Sequence, residues 1–428
     1  MTLESDRPES LLGTLLGFEG VRDVCTIVHG PTGCKYYPAS ASENGFRDRG
    51  PGYSSRNVFK WGDDYFFGQP RIPCTYLDFD KFVSGAGERL DKVYKMAEAL
   101  EPSLICIVNT PGASLIGENL TAVGGRIPTV RADKARYSGT FADGFQDAQE
   151  MILQELQPQK RETVKGQVNL MGITIFHLNW DDDVAELTKL LNACGIEVGC
   201  TAGAGWAVKD IVESVNSELN VLIFPEFGRR TAELYEKKWG VPFFESPEGA
   251  PIGFDATEAW IKGICARLGK DPAPALEMIK EGRKKAVRGL QKMESVHMLP
   301  RGRTFSVYAD GSMLYAVSRF LYDYLGMVPV ALKSPSGADW EKKAEDYFAS
   351  KKIPVSDDPE HTQTDIIVSS GALCVSAVER GYALASAVIE GPGNRFVHVE
   401  PEPVLGVRGT LRLVDAILND IADRQHFM

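Results

Sequence analysis

Short apolar runs alternate along this chain with longer stretches whose apolar residues recur every three or four positions, the pattern of strands and amphipathic helices in parallel sheets covered on both faces. Ser103 to Asn109 (SLICIVN) reads as a buried strand, and the stretch before it sets Leu90, Val93, Ala97 and Leu100 on one helical face. Thr110, Pro111 and Gly112 then mark a turn. A second series follows the charged stretch Gln157 to Lys165, with a strand over Val168 to Phe176 and then Asp181, Asp182 and Asp183, which suit the positive end of a helix dipole. Val184, Leu187, Leu190 and Leu191 face inward before Gly195, a helix stop, and Asn220 to Phe224 continues the sheet. The third series opens with a strand over Thr304 to Asp310, a helix burying Leu314, Val317, Leu321 and Leu325, and a strand over Val328 to Leu332. Further strands are predicted over Asp365 to Ser370, Ala385 to Glu390 and Arg395 to Glu400, and a closing helix over Val407 to Ile421 turns Leu411, Val414, Leu418 and Ile421 inward.

The predicted fold class is therefore α/β, with three Rossmann-like domains built on mainly parallel sheets. At 428 residues the chain exceeds what one core supports, and the boundaries are placed at 1–160, 161–300 and 301–428. Composition is that of a globular protein, 43% hydrophobic and 25% charged, with no apolar run of the roughly 18 to 20 residues a membrane helix needs. A net charge of -11 disfavours nucleic acid and anionic lipid as partners. Arg283, Lys284, Lys285 and Arg288 form a basic cluster that reads as a solvated helix face. The polar, acidic N-terminus lacks the features of an export signal, so a cytoplasmic location is expected.

Eight cysteines in such a chain point to free thiols rather than to a disulfide framework. Thr26, Ile27 and Val28 lead into His29-Gly30-Pro31-Thr32-Gly33-Cys34, which sets Cys34 on a loop beyond a strand's carboxyl end, where open α/β sheets bind ligands. Backbone N–H groups of such a turn can hydrogen-bond sulfur and lower a thiol pKa. Cys25 lies nine residues earlier and Cys74 forty later, outside any close-spaced metal pattern. Cys106, Cys194 and Cys265 read as small buried hydrophobes, whereas Cys200 and Cys374, at the ends of predicted elements, could face a cleft. No GxxxxGK[ST] loop is present, so the chain is not expected to hydrolyse ATP itself, and Gly203-Ala204-Gly205 reads as a tight turn.

The segment GFEGVRDVCTIVHGPTGC, Gly17 to Cys34, resembles the GFE and HGxxGC signature of the nitrogenase component 1 family, and NTPGASLIGENL resembles that family's TCxxxxIGDDL segment. Ser138-Gly-Thr-Phe, PIGFDATEAWIKGI, RGRTFSVYADGSMLYAVSRFLYDYLG and LGVRGTLRLVDAI also resemble, in order, stretches of the family, the last three those of its β-type subunits. The resemblance implies an electron-relaying β-type subunit of a reductase. Its partners would be an α-type nitrogenase-like subunit, in an α2β2 hetero-oligomer, and an ATP-dependent iron protein that delivers electrons. By the motif, Cys34 would bind an iron-sulfur cluster at the subunit interface. Cys74 falls where some β-type subunits carry a cysteine, and Cys25 is inferred as a compensating ligand, because the family's early cluster cysteine has no counterpart and its TC cysteine is Pro111 here. The cluster is either eight-iron and P-cluster-like or a smaller four-iron one. Absence of the extra C-terminal domain of some chlorophyll-pathway partners leads us to expect a methylthio-alkane reductase; the alternatives are a tetrapyrrole reductase subunit and a non-catalytic cofactor-assembly scaffold.

Overall fold

The computed structural model describes residues 9–45, 72–117, 119–133, 139–294, 299–391 and 400–425. Its strands form three sheets, in the orders β1-β2-β3, β5-β4-β6-β7 and β11-β10-β8-β9. In the first, β1 (Val24–His29), β2 (Leu104–Asn109) and β3 (Thr129–Ala132) pair in parallel. The second comprises β4 (Val164–Met171), β5 (Glu197–Ala202), β6 (Ser217–Leu222) and β7 (Phe243–Glu245), again all parallel. In the third are β8 (Thr304–Tyr308), β9 (Val328–Lys333), β10 (Thr364–Ser370) and β11 (Ala383–Glu390), with the same polarity.

Every residue of β1 and β2 is buried, which is why these strands read as continuous, mainly apolar runs: both faces are covered. The helix Gly87–Glu98 covers one face of the first sheet through Leu90, Val93, Tyr94 and Ala97, as its periodicity requires. On the other face a core shared with the second sheet joins Val24 and Val28 to Met171 and Leu222. The second and third sheets share the largest core.

Several predicted elements shift. The strand expected over Val168 to Phe176 begins at Val164 and stops at Met171, because Gly172, with φ +88°, turns the chain against the backbone of Phe224. The turn at 110–112 is a short helix, Pro111–Ser114, capped by the Thr110 side chain. Asp182 and Asp183 do lie in the first turn of the helix Trp180–Ala193, but their oxygens accept N–H groups of Glu402, Val404 and Leu405 and so hold the entrance to the closing helix Gly406–Gln425. The strand expected over Arg395 to Glu400 lies outside the described residues, as does Ser138. The helix Ser10–Glu19 packs against Phe141–Leu156 so closely that a Cβ on Gly144 would lie 1.9 Å from the Ser10 carbonyl oxygen.

Candidate functional site

At the carboxyl end of β1 the chain passes through Gly30, Pro31 and Thr32 and enters the helix Gly33–Asn44, which puts Cys34 in a helical first turn rather than on a loop. The segment around Cys74 lies along the edge of β1 opposite β2: Val28 and Cys74 are bridged in parallel, with Val28 N donating to the Pro73 carbonyl at 2.8 Å and Thr75 N to that of Val28 at 3.1 Å. From β1 the chain therefore goes first to one neighbour, the Cys74 segment, and then to the other, β2. Beyond the carboxyl end of β1 is the switch point at which such sheets leave a crevice, and Cys34 stands there.

Hydrogen bonds fix the base of this crevice. Thr75 Oγ1 lies 2.9 Å from His29 Nδ1 and accepts from Gly30 N at 3.0 Å, while Thr110 donates its hydroxyl to the His29 carbonyl at 3.1 Å. Gly30 is required there, since a Cβ would come within 2.5 Å of Thr110 Cγ2 and Oγ1. Gly33 differs: among the described residues a Cβ on it would meet nothing within 4 Å, so none of them fills the space beside Cys34. Cys74 Sγ points toward Thr32 Oγ1, 3.9 Å away, and two non-glycine residues in left-handed backbone, Ile72 (φ 57°) and Tyr76 (φ 49°), bracket it. Left-handed backbone at a β-branched residue is costly and is held only by surrounding structure, here the buried packing of Ile72.

The electrostatics tie the two cysteines together. Cys34, half-buried, has its thiol pKa raised by burial and then by the neighbouring Cys74, so the lowered value expected from backbone N–H groups is overturned by desolvation. Lys35 is fully buried, its ammonium disfavoured by that burial and favoured by Cys74. Lys35 and the two thiols thus influence one another at the sheet edge.

Cys25 is placed elsewhere. Side chains alternate along a strand, so Cys25 and Ile27 enter the core beneath the helix Gly87–Glu98, while Val24 and Val28 pack on the face that holds Cys74 and Cys34. Cys25 is also at the amino end of β1, paired with Ile105, far along the strand from Cys34. Cys106 lies buried in β2, and Cys194 and Cys265 are buried together in the main core. Cys200 does not face a cleft: it is buried and donates to Asn169 Oδ1 at 3.2 Å, whereas Cys374, packed in a core cluster with Ile367 and Leu373, lines a cavity of the third sheet.

Sequence reading missed an apolar surface around the crevice mouth. Tyr36 and Tyr37 follow Cys34, Phe79, Phe82 and Val83 lie on the short helix Phe79–Ser84, and Leu115 follows Pro111–Ser114; all are exposed, Phe79 at 83%. The signal was present in the pairs Tyr36-Tyr37 and Phe82-Val83, which only the fold brings to one sheet edge. Among the described residues no group of three or more His, Cys, Asp or Glu side chains could hold a metal ion. Among the described residues the donors at the crevice are the thiols of Cys34 and Cys74, which fit a metal group only when further ligands complete it.

A large cavity, about 1030 Å³, belongs to the third sheet, between β11 and the helices Gly371–Glu379 and Gly406–Gln425. Charged side chains including Lys189, Glu402, Arg408, Arg412 and Asp420 line it. Apolar side chains, among them Val375, Val378, Val388 and Leu411, line it as well.

The model of the family described as nitrogenase component 1 type oxidoreductase matches residues 10–422. Among curated relatives, a light-independent protochlorophyllide reductase subunit from Synechococcus sp. (strain WH7803) is 28% identical over 62% of this chain and 53% of its own length. The corresponding subunit from Heliobacterium modesticaldum is 23% identical over 92% of this chain and 74% of its own. The chain spans about half the length of the first curated relatives it matches. A solved structure of nitrogenase Cp1 at pH 6.5 superposes with a TM-score of 0.76 at 18% identity, covering 98% of this chain and 93% of that one, a likeness of fold. No helix among the described residues is long and apolar enough to cross a membrane.

Proposed function

This chain belongs to the nitrogenase component 1 type oxidoreductases, and from that premise we propose that it is an electron-relaying, β-type subunit whose Cys34 and Cys74 hold part of an iron-sulfur cluster completed by an α-type partner. The observation that carries the reading is the approach of Cys74, whose Sγ lies 3.9 Å from Thr32 Oγ1, to the turn that carries Cys34, with space among the described residues beside Gly33 and an apolar rim. Iron–sulfur clusters are held by four thiolates or equivalents. Two here favour a four-iron cluster shared across the interface, and Cys25, on the other face of the sheet, is left to the core. When bound, such a cluster carries single electrons. This chain's own residues orient it: Thr75 and Thr110 fix the loop, and Lys35 supplies positive charge beside thiolates.

Electrons are proposed to come from a separate ATP-dependent iron protein, since the sequence holds no lysine loop for nucleotide. The curated relatives, named as protochlorophyllide reductase subunits, favour a tetrapyrrole-type substrate over the methylthio-alkanes expected from sequence. The substrate site is proposed to lie on the partner. Units of about 1–160, 161–300 and 301–428 are proposed as the domains, each around one sheet.

The test is iron and sulfide analysis, with the reduced-state paramagnetic signal, of the complex copurified with its partner. Cys34→Ala and Cys74→Ala lower the iron content, whereas Cys25→Ala keeps it and costs only core packing. A double Cys34→Ala, Cys74→Ala complex with its full cluster sinks the proposal. An iron-loaded complex that turns over no tetrapyrrole with iron protein and ATP supports the scaffold reading instead.

A further inference from the structure

Four titratable side chains outside the cysteine crevice meet where the carboxyl edges of the second and third sheets face each other. His177 follows β4 and Glu226 follows β6, the two central strands at which chain order reverses in the second sheet. Asp310 follows β8, a central strand of the third sheet, and Glu390 ends β11. The groups are joined across the domain boundary. Glu226 Oε1 accepts both Ser312 N and Ser312 Oγ at 3.0 Å, and His177 Nε2 lies 3.7 Å from Asp310 Oδ2. Within the third unit, Asp310 N donates to Glu390 Oε1, and Ser336 Oγ donates to Asp310 Oδ1.

Among the described residues no lysine or arginine pairs with these carboxylates. Nδ1 of His177 accepts Thr174 N at 2.9 Å, which leaves Nε2 as the N–H facing Asp310 and the ring neutral in this arrangement. The nearby cations are committed to other acids: Arg229 to Glu245 and Asp339, Arg230 to Asp147 and Glu150, and Lys333 to Glu341. Phe224 and Phe227 pack on the imidazole, with ring centroids 4.3 and 5.0 Å away. Glu226 keeps some surface as a residue, yet its Oε2 is sealed from solvent and has no hydrogen-bond partner among the described residues. Three carboxylates so close, in a site of low dielectric, cannot all ionise without strong repulsion.

We propose that Glu226 and Glu390, gathered around Asp310 with His177, form a proton-holding latch between the second and third domains, which keeps the two sheet edges together while the two glutamates hold protons and loosens them when those protons leave. Burial, and then the charge of Asp310, raises the pKa of Glu226 to about 8 and that of Glu390 well above the ordinary glutamate range. Because both folded values are raised, the folded chain binds more protons than the unfolded one. Its stabilisation is complete below the ordinary glutamate value and is lost as pH rises through about 8.

The test is hydrogen exchange of the full chain over residues 308–316, whose N–H groups at Asp310 and Ser312 donate to the latch. Corrected for intrinsic rates, the opening constant of the wild type should rise between pH 6.5 and 9, by up to about tenfold per pH unit for each carboxyl that ionises. Glu226→Gln with Glu390→Gln, which keeps the acceptors, should flatten that rise. Should the double variant fail to fold, Glu226→Gln alone should remove part of it. A flat wild-type profile, or an unchanged rise in the Gln variants, overturns the latch. Stoichiometric uptake of Ca2+ or Mg2+ at pH 8.5, lost in the variants and closing the segment again, overturns it too, in favour of a cation site.

Discussion

The two glycines of the HGPTGC segment have different jobs in this chain, and each can be tested alone. Gly30 is hemmed in by Thr110, whose hydroxyl donates to the His29 carbonyl and also caps the helix at Ala113 N, so Thr110 cannot rotate away without losing both bonds. Gly30→Ala should destabilise the chain by about 1–3 kcal/mol, measured by urea unfolding. None of the described residues crowds Gly33, so Gly33→Val should leave unfolding of the isolated chain within about 0.5 kcal/mol. If the space belongs to a cluster, that same variant should carry less iron in the complex. Normal iron loading with Gly33→Val would show that the space is incidental.

At the scale of elements, two contacts decide how the helices meet. The helices Ser10–Glu19 and Phe141–Leu156 touch closely through Gly13, Gly17 and Gly144, since a Cβ on any of them would meet atoms at 2.6 Å or less. Gly144→Ala must push the pair apart and should lower the melting temperature by more than a helix-propensity gain could restore. A variant with an unchanged midpoint would mean that the pair has slack. The second contact is Asp183, which accepts Val404 N at 2.6 Å and Leu405 N at 2.7 Å. Asp183→Ala strands two buried donors and should cost about 2–4 kcal/mol by urea unfolding. Burial raises the Asp183 pKa to about 8, so its stabilising share is largest in acid and declines as pH approaches that value. The loss should therefore be larger at pH 6 than at pH 9, and the opposite trend would show that an ionised Asp183 is what the loop requires.

For the whole molecule, the exposed apolar rim near Cys34 is the surface to challenge. Phe79, Val83 and Leu115 are each at least three-quarters exposed, so they contribute little to the packing of this chain alone. Phe79→Asp with Val83→Asp should leave the unfolding midpoint of the isolated chain unchanged and abolish copurification of the proposed α-type partner. Retention of the partner at wild-type yield would move the interface elsewhere. In the assembled complex, substrate reduction should require both the iron protein and ATP; full-rate turnover with dithionite alone would remove the electron-relay reading.

The alternation of apolar strands with amphipathic helices determined the α/β class, and continuous burial in LICIVN and VCTIVH accounts for the scarcity of polar positions in those runs. The three successive series marked three parallel sheets, and the HGPTGC turn marked the carboxyl edge at which Cys34 stands. These features are local, because periodicity and turn chemistry act within a few residues. Which cysteines meet was decided only by tertiary structure. Cys25, close to Cys34 in sequence, is turned by strand alternation into the opposite core, while Cys74 is brought in by pairing with the edge of β1. The roles of Asp182 and Asp183 as holders of a distant loop, and the meeting of His177, Glu226, Asp310 and Glu390, arise likewise from hydrogen bonds and charge contacts between residues far apart in the chain. A residue's partners across a domain boundary depend on how sheets pack against one another, and no window of sequence contains that packing.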